Sequence, residues 1–303
     1  MDNKIVFMGS PDFSLPSLEE LHKKFNVVGV ITQPDRRAGR GRHLQAPPVK
    51  RLAESLGIPV VQPEYLKEQS ALVQLETWAP DVIIVAAFGQ ILRLDVLNLP
   101  KYGCVNVHAS LLPRWRGATP IQAAILEGDP RTGVTIMRMD EGLDTGPILA
   151  QREVPIRDNT TGGELAGQLA FLGAQVLVEI LPSYLNGMLA PLPQDESLAT
   201  YTRRLKKSDG LLRLDLPAQN LVRQILAFNP WPGTYYKVSN KILKVHGAHV
   251  HDTYQCDIGE HYIVNNLPAL GTGQGLLVLD VVQPEGRNSM SGGAFLHGIT
   301  DWL

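Results

Sequence analysis

Cysteine is nearly absent from this chain: Cys104 and Cys256 are the only two in 303 residues. Two thiols exclude a disulfide framework, and their spacing excludes a cysteine metal cage. A reducing, cytoplasmic compartment is expected. An excess of charge of either sign is also missing. The 28 Lys and Arg stand against 30 Asp and Glu, a formal net charge of −2. No overall field draws in a polyanion, so a nucleic-acid partner needs a local basic patch. The apolar run VIIVAAF at 82–88 is far below spanning length. The apolar part of the opening MDNKIVFMGS is too short for a signal peptide. No membrane partner is expected. Glycine is scarce where a nucleotide fold needs it: the first turn, GSPDFS, has one glycine and an early proline. It cannot supply a three-glycine phosphate cradle, and no GxxxxGK[ST] follows. A nucleotide cofactor is therefore not expected.

The regular pattern is that of an α/β protein. Apolar segments at 4–8, 27–32, 59–62, 81–87 and 105–108 read as strands. Helix-like segments at 16–25, 49–56, 72–78 and 120–126 alternate with them. This order predicts a doubly wound, mostly parallel sheet covered on both faces, with ligands outside the carboxyl ends of its strands. After residue 185 the character changes. Residues 186–196 are rich in Pro, Gly and acidic side chains, which reads as a linker, extended to 207 by the basic stretch TYTRRLKK. From 208 a helix at 218–227 and short strands at 234–238 and 276–282 predict a small β-barrel. The expected domains are thus 1–185, a linker over 186–207, and 208–303.

Two segments carry chemistry. NVHASLLPRWRGATPIQ at 106–122 follows a strand and places Asn106 and His108 two apart, on one face. MDEGLDTGP at 139–147 brings Asp144 from a Gly-rich loop. An amide can donate to a developing oxyanion, an imidazole can donate or accept a proton, and a carboxylate can orient that imidazole. With no Ser or Cys nucleophile among them, the three suggest direct acyl transfer to an amine of the substrate. Arg36, Arg37, Arg40 and Arg42 form a Gly-spaced basic loop, DRRAGRGRHLQAPP. Guanidinium groups of that kind suit phosphates and base edges. His246, His249, His251 and His261 match no zinc spacing, so no metal is expected.

These segments, with GSPDF near the start and FNPWPG at 228–233, resemble the methionyl-tRNA formyltransferases over nearly the whole chain. The NVH…SLLP core and the DxGxDTG loop are shared by the wider group of 10-formyltetrahydrofolate-dependent formyltransferases. They identify the chemistry, not the acceptor. The resemblance implies that Asn106, His108 and Asp144 are catalytic and that Ser110, Leu111, Leu112 and Pro113 line the folate site. It also implies that the loop with Ala86, Phe88, Gly89, Ile91 and Leu92 holds the pterin ring, largely through backbone groups. It implies a C-terminal OB-like barrel and a monomer that takes 10-formyltetrahydrofolate as co-substrate. Methionyl initiator tRNA is the implied acceptor, met by the arginine loop and by Arg203, Arg204, Lys206 and Lys207. A formyltransferase with a small acceptor, a formyltetrahydrofolate hydrolase and a non-catalytic tRNA- or folate-binding protein are the alternatives. The end of the chain, MSGGAFLHGITDWL, departs from the family pattern: His297 and Asp301 stand where basic residues are usual.

Overall fold

The computed structural model describes residues 3–38, 43–238, 241–252, 256–298 and 302. The chain forms two compact units. The first comprises Met1–Gly117, Thr132–Val154 and Ala166–Thr202; the second comprises Ala118–Arg131, Pro155–Leu165 and Arg203–Leu303.

The first unit is built on a seven-stranded sheet. In chain order come β1 (Lys4–Gly9), β2 (Asn26–Ile31), a hairpin of β3 (Arg36–Ala38) and β4 (His43–Gln45), β5 (Val60–Val61), β6 (Val82–Ala86) and β7 (Cys104–His108). Then follow β8 (Arg116–Gly117), β9 (Arg131–Arg138), β10 (Ile148–Pro155) and β11 (Tyr201–Thr202). The sheet order is β10-β9-β7-β6-β1-β2-β5. β5, β2, β1, β6 and β7 run parallel and β9 runs antiparallel to β7. β6 (VIIVA) and β7 are buried throughout, and β1 (KIVFMG) from its second residue, as expected of strands covered on both faces. From β1 the chain steps outward to β2 and β5, then crosses back to β6 and β7. The reversal lies between β1 and β6, where Gly9 pairs with Ala86. Ligands of open α/β sheets collect at such a point.

The helices are α1 (Leu15–Lys24), α2 (Pro48–Ser55), α3 (Gln69–Trp78), α4 (Leu94–Leu97), α5 (Pro120–Glu127) and α6 (Gly162–Leu185). Leu18 and Leu21 of α1 and Leu75 of α3 are fully buried, on the faces their spacing predicts. α6 was not legible as one element. Its 24 residues are long and apolar enough to cross a membrane by length and composition, and half of its most apolar window is buried. Leu165, Leu169, Ala174, Leu177 and Leu181 form its buried stripe.

The stretch read as a linker is split. Residues up to Thr202 belong to the first unit, where Leu192 bridges Ile148 and β11 pairs with β8. Residues from Arg203 belong to the second. That unit also takes α5, which lies inside the range expected for the first domain. The cause is local: α5 packs on α7 (Ala218–Ala227), and Gly163 N donates to Asn229 O.

The second unit carries an antiparallel sheet of β12 (Thr234–Val238), β13 (Lys241–His251), β14 (His261–Val264), β15 (Leu267–Gly271), β16 (Leu276–Pro284) and β17 (Met290–Ser291), with α8 (Gly292–His297) following. Leu221 and Ile225 of α7 join Leu243, Val245, Leu277, Leu279 and Val282 in its core. Trp302 closes that core: it is buried, stacks on His261 with ring centroids 4.2 Å apart, and donates Nε1 to Tyr262 O. The histidine stripe has partners of its own. His249 meets Asp280 and His246 meets Gln283 on exposed β13 positions. Among the described residues, no three His, Cys, Asp or Glu side chains group to hold a metal.

Cys104 is fully buried on β7, and burial pushes its thiol up to about 12. In a Cys256→Ser chain at pH 8, a thiol reagent should therefore react only after denaturant is added. Rapid labelling of the native chain would contradict that burial.

Candidate active site

Three segments of the first unit meet at the carboxyl end of β7. Asn106 and His108 share one face of that strand, opposite Met137 and Thr135 of β9. Both are nearly buried, at 9% and 6% exposure. The Asn106 amide makes no side-chain hydrogen bond to any described residue, although it sits at the rim of a packed core. Its polar atoms are not among the buried, unpartnered ones, so the amide reaches the surface beside the imidazole and is free to donate to a ligand atom.

His108 is held from both sides. Its Nε2 lies 3.1 Å from the Trp115 carbonyl, and its Nδ1 lies 3.7 Å from Asp144 Oδ2. The Nε2 contact requires an N–H there, because a carbonyl only accepts. With that N–H engaged, the Asn106 amide is the open side-chain donor on this face.

Asp144 is fixed more firmly than a loop residue usually is. Its backbone takes the left-handed conformation, φ 54°. Its Oδ2 accepts from Gly117 N at 2.8 Å. Gln194 Nε2 donates to the Asp144 carbonyl at 2.8 Å and to the Gly146 carbonyl at 2.7 Å. Only glycine serves at 146, because a Cβ would collide with the Arg138 carbonyl oxygen. Gly117, at φ 106°, is equally constrained: a Cβ there would strike the Thr202 carbonyl.

The SLLP segment is a rigid wall. Thr135 Oγ1 donates to Ser110 O and accepts from Leu112 N, and Gln151 Nε2 donates to Leu112 O. Ser110 and Leu112 are buried, and the Ser110 hydroxyl donates to Arg114 O. Their side chains shape the loop, and Leu111 and Pro113 are half-buried. The loop after β6 divides the same way. Ala86, Phe88 and Leu92 point into the core, while Gly89 and Ile91 face outward, Ile91 at 86% exposure. Next to it opens a cavity of about 400 Å³ lined by Leu94, Leu97, Arg138, Met139 and Asp140. A second, of about 500 Å³, is lined by Ile91, Leu92, Leu94 and Glu141. These volumes suit a drug-sized ligand.

Arg116 is the feature the sequence hid. It lies in RWRG, where it reads as one more surface cation. Its side chain is fully buried instead. Its guanidinium donates to both carboxylate oxygens of Glu196 at 2.7 Å, to Gln194 Oε1 through Nε and Nη2, and to Tyr201 OH. Thr200 adds a backbone clamp: its Oγ1 accepts from Trp115 N, and its carbonyl accepts from Arg116 N. The Pro- and acid-rich composition of 186–202 gave no periodicity from which these contacts could be found.

Of the basic residues, Arg36 and Arg37 are exposed on β3, and Arg36 donates to Gln33 Oε1. Their segment is a β-hairpin flank and not an open loop. Arg40 and Arg42 lie outside the described residues, as does Asp301. Arg203, Arg204, Lys206 and Lys207 are exposed, and Arg203 forms a two-point pair with Asp209, whose carboxyl is lowered to about 2.

Comparison with known proteins gives the family. The formyl transferase family matches residues 3–181, and its C-terminal domain family matches residues 204–300. A methionyl-tRNA formyltransferase of Myxococcus xanthus (strain DK1622) is 45% identical over 302 residues, covering 97% of this chain and 95% of its own. The chain belongs to the methionyl-tRNA formyltransferase family. Another relative of that name, from Roseiflexus sp. (strain RS-1), is 44% identical across 99% of this chain and 93% of its own. Among solved structures, WlaRD, a sugar 3N-formyl transferase crystallised with dTDP and 5-N-formyl-THF, aligns with TM-score 0.68 at 18% identity. It covers 95% of this chain and all of its own, and shares the fold of the family.

The Glu196 carboxyl is held below the usual carboxylate range, chiefly by its hydrogen bonds from Arg116. A lowered value means that the pair's stabilisation is present above the ordinary Glu range and is lost as pH falls through the lowered one. Glu196→Gln should therefore melt below the parent chain at pH 7, and the gap should close in acid. A gap independent of pH would contradict the pairing.

Proposed function

We propose that this chain transfers the formyl group of 10-formyltetrahydrofolate to the α-amino group of methionyl initiator tRNA, in the cytoplasm. The observation that carries the reading is the Asn106 amide, nearly buried and unpartnered beside an imidazole backed by Asp144. The acceptor is supported by the names of relatives aligned over almost the full chain. The formyl donor is supported by the 5-N-formyl-THF in the related sugar enzyme and by the cavities beside residues 86–92. The outward residues Gly89 and Ile91 and the half-buried Leu111 and Pro113 would hold it; Ala86, Phe88, Leu92, Ser110 and Leu112 would keep their loops in place.

The folate co-substrate supplies an activated formyl carbon. The amine of the aminoacyl group is neutral in a large fraction near pH 7.7–8.0, roughly where α-amino groups titrate. It forms the new N–C bond, and the C–N bond to the folate nitrogen breaks. Asn106 donates to the oxygen on which charge develops. His108 adds positive charge when protonated, anchored by the Trp115 carbonyl. Asp144 stabilises that charge and receives the proton the amine loses, from which the departing folate nitrogen is protonated. The two units divide the labour, the first, with its segment up to Thr202, for catalysis and the second, with its segment from Arg203, for tRNA. Arg36, Arg37, Arg40, Arg42, Arg204, Lys206 and Lys207 offer cations to tRNA phosphates, and Arg203 does so less freely because Asp209 already engages it.

Parallel assays with methionyl initiator tRNA, methionyl elongator tRNA and an amino-sugar nucleotide test the proposal. Formylation of the initiator is the expected outcome; turnover with the sugar nucleotide alone would overturn the acceptor while leaving the chemistry. Asn106→Ala should lower turnover by about 100- to 1000-fold, as loss of one oxyanion donor does, with folate affinity little changed. Arg40→Ala combined with Arg42→Ala should raise KM for tRNA and reduce its salt slope by about 2, the value for two lost phosphate contacts. An unchanged slope would remove the loop from the interface.

A further inference from the structure

Gln194 touches the active loop and the buried cation at once. Its carboxamide oxygen accepts from Arg116 Nε at 3.1 Å and Nη2 at 2.8 Å. Its nitrogen donates to the carbonyls of Asp144 and Gly146. An amide accepts from the guanidinium with its oxygen and, with the two N–H groups on its other edge, can donate to both carbonyls. The neighbouring Gly117 N, one residue beyond Arg116, holds the Asp144 carboxylate itself. Backbone and side chain of Asp144 are thus tied to the same two-residue stretch, Arg116-Gly117. Glu196 secures the far side of Arg116.

We propose that Gln194 is a positioning residue for the reaction, with Arg116 and Glu196 as its support: it sets the aim of the Asp144 carboxylate toward His108. The proposal rests on the catalytic role given to Asp144 above. A carboxylate 3.7 Å from the imidazole is not locked by His108 itself, since that distance exceeds a hydrogen bond. Its direction comes from the Gly117 amide and from the left-handed backbone that Gln194 holds.

The test is a double-mutant cycle on formyl transfer. Gln194→Glu keeps an acceptor for Arg116 and removes the donor to the two carbonyls. Its turnover should fall by about 10- to 100-fold, in line with the cost of a small misplacement, while KM for the folate stays within about twofold, as expected of a loss confined to the transition state. Added to Asp144→Asn it should cause no further loss, because both act through one carboxylate. If Gln194→Glu melts early, Gln194→Met, which brings no charge toward Asp144, carries the same measurement. Unchanged turnover in a folded Gln194 variant, or a loss that multiplies onto that of Asp144→Asn, overturns the proposal. Full activity of Asp144→Asn would instead overturn the role of Asp144 itself.

Discussion

The structure around the site depends on the burial of one guanidinium. A charged group removed from water is costly unless each of its donors is matched. Arg116 matches all of them, with the oxygens of Glu196, Gln194 and Tyr201. Those partners come from 194–201, the stretch that follows the long helix α6. The consequence is topological. Wherever Arg116 lies, the chain after α6 must return to it, and Thr200 then fastens the backbone on either side of Trp115 and Arg116. The Trp115 carbonyl that receives His108 and the Gly117 amide that receives Asp144 flank this residue. One buried cation thus orders two of the three groups of the site.

This explains what could and could not be read in advance. The strand carrying Asn106 and His108 was legible, because alternation and apolar flanks specify a buried strand. Asp144 was legible as a loop carboxylate beyond the next strand. Gln194 and Glu196 were not. Their stretch is rich in proline and acid and has no period, so by composition it is a linker, and its docking is a matter of long-range hydrogen bonds alone. Arg116 failed for the complementary reason: in sequence a buried arginine differs in nothing from the exposed Arg114 two residues before it. α6 received no reading from the sequence: its apolar content exceeds what one buried stripe needs, leaving Phe171 largely exposed.

The second unit shows the same limit. The register of β13 shifts around Gly247, so the histidines after it do not keep a single alternation with those before it. The exposed histidines of β13 each meet a neighbour on β16, His246 with Gln283 and His249 with Asp280. At the chain's end the Trp302 indole fills the core of the second unit between His261 and Phe295.

What distinguishes the site from its scaffold is which groups are left unspent. Asp144 is over-determined: carboxylate, carbonyl and backbone angle are each fixed by a neighbour. Asn106 is the reverse, its amide open at the end of a rigid strand. Charge that exists only while a bond is changing is best met by a donor already in place and not yet committed, since freeing an engaged donor would add its own cost to the barrier. In the role proposed for Asp144, a carboxylate that balances the imidazole gains nothing from freedom and loses aim by it. The protein accordingly spends its hydrogen bonds on Asp144 and withholds them from Asn106, and the buried arginine lets a loop acid be held as firmly as a strand residue.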